Sequence, residues 1–211
     1  MPTHQSPVVR LLQALPDAGM AAWFMLIWLS PLALGPDAVR AALMVMLVEF
    51  ILVHASGLMG GVVLSDTTPR RTRLLTALGL SGLYLLFIAA FTLAFASWWP
   101  ALMFGWLLAG KLVLAWGGGN DEQRHRMFSF WVVSAMAYLG GVTATVLLPL
   151  PRFGLDAATV QGLDLPGSGH WVELPHTVVA FGALYFATLA IVKFKDWRLP
   201  ATTLPGMKDS G

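Results

Sequence analysis

The chain contains no cysteine in 211 residues. Disulfides, thiolate metal sites and a cysteine nucleophile are therefore excluded. Charge is the second shortage. Only 11% of residues are charged while 57% are hydrophobic, whereas a soluble domain is about 25% charged and about 45–50% apolar. So little charge does not coat a water-facing surface, and so much apolar content does not suit a disordered chain. The formal net charge is only +2, and the basic residues form no single patch, which excludes nucleic acid as a partner. What the chain does have is nine Trp, which suit the membrane–water boundary. The class that remains is a multi-pass integral membrane protein whose first partner is the lipid bilayer.

A helix needs roughly 20 mostly apolar residues to cross the hydrocarbon core. Six stretches qualify, at about 19–34, 38–64, 75–96, 98–116, 127–148 and 175–192. The expected fold is all-α, a six-transmembrane-helix bundle over 19–195. Tails are expected at 1–18 and 196–211, with one long external loop at 150–174. Within the first tail, Val8–Leu15 suits a short interfacial helix or a loose segment. Arg10 ahead of an apolar run faintly resembles a signal peptide, but the run is long for one, so cleavage is not expected.

Orientation follows from Lys and Arg. With the N-terminus in the cytoplasm, Arg10, Arg70, Arg71, Arg73, Arg124, Arg126, Lys193, Lys195, Arg198 and Lys208 all fall inside, and only Arg40 and Arg152 fall outside. The expected topology is N-in/C-in, in a membrane of the bacterial inner (plasma) membrane type.

The remaining cation, Lys111, and one acid, Glu49, lie deep within spans. An acidic or basic side chain at a helix centre costs about 2.5–3.5 kcal/mol on the insertion scale. The simplest compensation is that the two face each other. At about 1.5 Å per residue, Glu49 lies roughly 17 Å below the outer end of its helix, Lys111 roughly 20 Å and His54 roughly 24 Å. Tyr84 and Ser81 of the third span, and Ser134 and Tyr138 of the fifth, fall at a similar level. Ser56 shares the face of Glu49, whereas His54 points about 140° away. Such a layer suits a path for protons, ions or a small solute, with Glu49 and His54 changing protonation. It equally suits a lock between helices.

A weaker constellation is His170, Glu173 and His176 in the outer loop. These are ligand types for Zn or Cu, but the spacing matches no strong metal motif, and Gly169 and Pro175 interrupt the helix that would align them. No resident cofactor is expected. A bis-His haem is disfavoured because His54 has no second deep histidine, while a quinone site at His54 stays open. Gly117–Gly118–Gly119 lacks the Lys-Ser/Thr of a phosphate loop and reads as a helix terminator.

The sequence leaves three functions. The first is a small channel or secondary transporter. The second is a non-catalytic structural or accessory subunit of a membrane complex, with a homo-oligomer or a complex partner. The third is a membrane-embedded redox or other enzyme, the least favoured. No motif is specific enough to name a family.

Overall fold

The structure, a computed structural model, describes residues 6–63, 69–95, 98, 105, 121–165 and 167–200. Among these residues there is no strand, and the elements run α1 (Pro7–Leu29), α2 (Ala38–Val63), α3 (Arg70–Phe95), α4 (Asp121–Leu147), α5 (Ala157–Gly162), α6 (His170–Glu173) and α7 (Pro175–Phe194). Four of them contain stretches long and apolar enough to cross a membrane: Pro7–Leu29, Ala38–Leu58, His125–Leu147 and Pro175–Phe194. In α3 the described side chains give an apolar stretch over Leu74–Ala90. Large apolar side chains face outward, with Leu86, Leu93 and Leu147 at least 70% exposed. Such helices fit an integral membrane protein, in which lipid replaces water as the outer solvent. The span expected at 98–116 falls almost wholly outside the described residues.

The first span differs from its expected bounds. Instead of a tail followed by a helix over 19–34, one helix starts at Pro7 and ends at Leu29. Ser6 caps the start, its hydroxyl accepting from the Val9 amide at 3.4 Å, and Pro7 occupies the first turn, where its missing N–H has no cost. Pro16 lies inside the helix, which continues through it. The end is set by Pro31, which disfavours a helical conformation at Ser30; that residue adopts φ −147° and ψ 75°. A turn then closes on Gly35 at φ +94°, a conformation that needs glycine.

The described residues divide into two compact units, Met1–Leu47 with Val133–Trp197, and Val48–Val132 with Arg198–Gly211. In the first unit, α1 and α7 pack antiparallel. Phe24, wholly buried, stacks on Phe186 with ring centroids 5.6 Å apart. Its ring also lies where a Cβ on Gly182 would project, so glycine there permits the close approach. Farther toward the start of α1 and the end of α7, Lys193 Nζ meets Asp17 Oδ2 at 2.5 Å. At the opposite end, Trp28 Nε1 donates to the Pro151 carbonyl at 2.9 Å, and the Gly154 amide donates to the Trp28 carbonyl at 3.1 Å. A Cβ on Gly154 would run into the Leu29 backbone and Pro31.

The α4 segment of this unit packs on α7 through aromatic rings. Tyr138 meets Phe181 at 5.0 Å and Tyr185 at 5.6 Å, both edge to face. Such pairs contribute about 0.5–1.5 kcal/mol each beyond the area they bury. The Tyr138 hydroxyl donates to the Met46 carbonyl at 2.6 Å, which ties in the first part of α2. Gly141 leaves room for the Phe181 ring.

In the second unit, Ile51 and Ala55 of α2 bury with Tyr84 and Ile88 of α3. Trp131 of α4 lies over Gly57 and donates from Nε1 to the Val53 carbonyl at 3.0 Å. The chain after α7 returns to the start of α4. There Arg198 meets Glu122 at 3.1 Å, and His125 Nε2 donates to the Leu199 carbonyl at 2.6 Å.

Asp17 is 8% exposed, so removal of either charge strands the other in a poorly solvated site. Breaking a fully buried pair costs about 3–5 kcal/mol and an exposed one about 0–1. Because the Lys193 side chain keeps 27% of its exposure, Asp17→Asn and Lys193→Gln are each expected to cost about 1–3 kcal/mol, between those limits. The double variant is expected to recover part of the loss. Unfolding in a neutral detergent checks this; strictly additive losses would show that the two charges do not act as a pair.

Candidate functional site

The α2 helix carries Glu49 near its middle, half-buried, with apolar neighbours on either side in sequence. His54 lies five residues on and is exposed, as the angular separation on one helix requires. Its ring stays against its own helix. Nδ1 bonds the Phe50 carbonyl at 2.9 Å, and the two rings approach to 4.1 Å between centroids. Since a carbonyl only accepts, the hydrogen is assigned to Nδ1, and Nε2 of the neutral ring keeps its lone pair. That nitrogen is the one able to take up a proton.

Ser56 is half-buried on the next turn of α2. Tyr84 is buried between α2 and α3, against Ile51 and Ala55, and so lies near the α2 segment that carries Glu49 and His54. Ser81, one turn earlier in α3, spends its hydroxyl on the Ala77 carbonyl at 2.6 Å. The second unit thus holds Glu49, His54, Ser56 and Tyr84. Ser134 and Tyr138 belong to the first unit; both are buried, and Tyr138 is committed to the Met46 carbonyl. Lys111 lies outside the described residues.

His170, Glu173 and His176 are spread over two helices. His170 opens α6 and donates from Nε2 to the Thr145 carbonyl at 2.9 Å, while Trp171 reaches the Thr145 hydroxyl at 3.4 Å. Glu173 is exposed. His176 is the second residue of α7 and is 5% exposed. Among the described residues, no three His, Asp or Glu side chains gather to hold a metal ion. A single Nε2 bond to a main-chain carbonyl leaves His170 only Nδ1 for any further ligand.

Asp17 is the buried charge that sequence reasoning missed. Read as part of a tail ending at residue 18, it is instead inside α1 and paired with Lys193. The signal that could have found it is the apolar periodicity of Val8–Leu15, which runs on into Ala18–Leu29 once Pro16 is allowed within the helix.

No family model matches the chain, nor does any curated protein or solved structure.

One carboxylate between α4 and α6 has a defined chemical role. Asp156 caps α5, its Oδ1 accepting from the Thr159 amide at 2.8 Å. The Thr159 backbone N–H holds this carboxyl below the usual carboxylate range. The sign follows from linkage. A depressed folded value stabilises the capped form above the unfolded pKa of about 3.9, and that contribution is lost as pH falls through the lower folded value. An NMR titration of the Thr159 amide is expected to show a midpoint below about 3.9 that vanishes in Asp156→Ala. A midpoint at or above the ordinary value would mean the cap is not formed.

Proposed function

We propose that the chain is a six-span membrane protein of the N-in/C-in type, in a membrane like the bacterial inner membrane. In this proposal it conducts or transports protons, ions or a small solute along a path that uses Glu49, His54 and Lys111. The observation that carries this function is Glu49, a half-buried carboxylate in the middle of an apolar helix. A charge is costly at that position, and intramembrane acids characteristically mark ion and proton pathways. His54 adds an imidazole within one and a half turns on the same helix. Ser56 and Tyr84 add neutral hydrogen-bonding groups in the same unit.

The topology is supported by two independent features. With six spans and the N-terminus inside, ten of the 13 cations would fall on the cytoplasmic side. The antiparallel packing of α1 on α7, with Asp17 against Lys193, brings the early part of the first helix beside the end of the last. That arrangement fits an even number of crossings between them.

A second function is favoured by the exposure of His54. Lipid does not solvate an imidazole well, so a partner helix from another chain would suit that flank of α2. This is the arrangement of a non-catalytic subunit in a membrane complex.

Two measurements test these functions. In proteoliposomes, Glu49→Gln is expected to lower proton or ion flux by about tenfold or more, given the role of intramembrane carboxylates in coupling, while leaving the yield of folded protein intact. Unchanged flux, or no flux in the wild type, would favour the subunit. For topology, the cysteine-free chain is a clean background. Cysteines introduced as Thr72→Cys and Ala158→Cys are expected to react with an impermeant maleimide from opposite sides of the membrane. Labelling from one side would refute six crossings with both termini inside.

A further inference from the structure

The helix α7 ends in a specific turn. The Trp197 amide donates to the Val192 carbonyl and the Asp196 amide to the Lys193 carbonyl, both at 3.1 Å. This is the bond pair of a Schellman motif, which usually carries glycine at the left-handed position. Here that position is Asp196, at φ +48°. A residue with a Cβ is strained in this conformation, although aspartate less than most. Arg198 and Leu199 follow the turn directly.

Within the second unit, these two residues lie along one face of α4. Glu122, His125 and Ser129 are spaced three and four residues apart and so share that face. Arg198 Nη1 bonds Glu122 Oε1 at 3.1 Å, His125 Nε2 donates to the Leu199 carbonyl at 2.6 Å, and the Leu199 amide donates to the Ser129 hydroxyl at 3.1 Å. Trp131 stands two residues after Ser129, about 200° round the helix. There it donates to the Val53 carbonyl and covers Gly57. The start of α4 is therefore held on two sides, by Arg198 and Leu199 on one and by α2 on the other.

Several features oppose this hold. The ion pair is partly open to solvent, with the Glu122 side chain 40% exposed, and such pairs contribute little. His125 Nδ1 and Arg126 Nε are buried beside the same contacts and have no hydrogen-bond partner. Polar atoms in that state gain by meeting water. The strained backbone at Asp196 acts in the same direction.

We propose that Arg198 and Leu199 form a releasable latch on α4. Docked, they keep α4 pressed on the α2 segment around Val53 and Gly57. Lifted, they return His125 and Arg126 to water, let Trp131 withdraw, and free that segment to open. The latch acts on the turn of α2 that carries His54, and it does not depend on whether the chain transports anything.

Hydrogen exchange read by mass spectrometry, on the full chain in a neutral maltoside detergent, tests the latch. Ser129→Ala removes the acceptor of the Leu199 amide while raising the intrinsic helix propensity of α4. It is expected to speed exchange about tenfold in residues 121–132 and also in 51–58, as loss of a buried hydrogen bond implies. Arg198→Gln is expected to act in the same direction by about threefold, since its ion pair is partly exposed, and Arg198→Lys to restore most of the protection. Peptides containing Phe24 and Gly182 report on the first unit and are expected to stay unchanged. Unchanged exchange in 121–132 in both Ser129→Ala and Arg198→Gln would overturn the latch. A rise confined to α4, with 51–58 unchanged, would overturn its reach to α2. A rise that extends to Phe24 and Gly182 would show general destabilisation in place of a latch.

Discussion

The contact between the first helix and the last is the constraint on which the first unit depends. In lipid, apolar surface gains nothing by turning inward, so helices associate through close packing and through polar groups that have no better partner. The α1–α7 pair uses both means. Gly182 lets the Phe24 ring approach the α7 backbone, and Asp17 finds Lys193. The two contacts lie at successive levels along an antiparallel pair and so fix its register as well as its existence. The tyrosines of α4 and α7 then fill the adjoining flank of α7, around Phe181.

Much of the helical framework is legible from apolar run length alone. The stretch expected at 38–64 is the helix Ala38–Val63, and that expected at 175–192 is Pro175–Phe194. The fourth helix begins at Asp121, six residues before the expected 127. A helix in water-facing surroundings tolerates Glu122, Arg124 and Arg126 before its apolar part begins, whereas a hydropathy criterion starts only where they end. The first helix is misplaced by the sequence for a different reason. Pro16 and Asp17 together look like a boundary, but a proline removes one hydrogen bond rather than ending the helix by necessity, and the charge of Asp17 is compensated by a residue almost a whole chain away. No local window contains that information.

The candidate site is legible in its residue types more than in its geometry. Depth counting brings Glu49, His54, Tyr84, Ser134 and Tyr138 to one layer, yet depth does not assign faces or partners. Tyr138 shows the difference. Its hydroxyl is bound to the Met46 carbonyl, a main-chain acceptor that carries no signature in sequence. His54 likewise spends Nδ1 on the Phe50 carbonyl of its own helix. His170 and His176 stand out in sequence for a metal-like spacing, whereas in the folded chain His170 bonds the Thr145 carbonyl and His176 is buried at the start of α7.

The pairing of α1 with α7 also has a temporal meaning. During synthesis α1 emerges first and its partner last, so the contact closes a loop of nearly the entire chain. Until α7 arrives, Asp17 has no Lys193 and Phe24 has no Gly182 to pack on. The least apolar of the four long helices therefore waits longest for its compensation. Completion of this unit waits for α7, and a chain that stops short of Lys193 leaves α1 with an unneutralised acid.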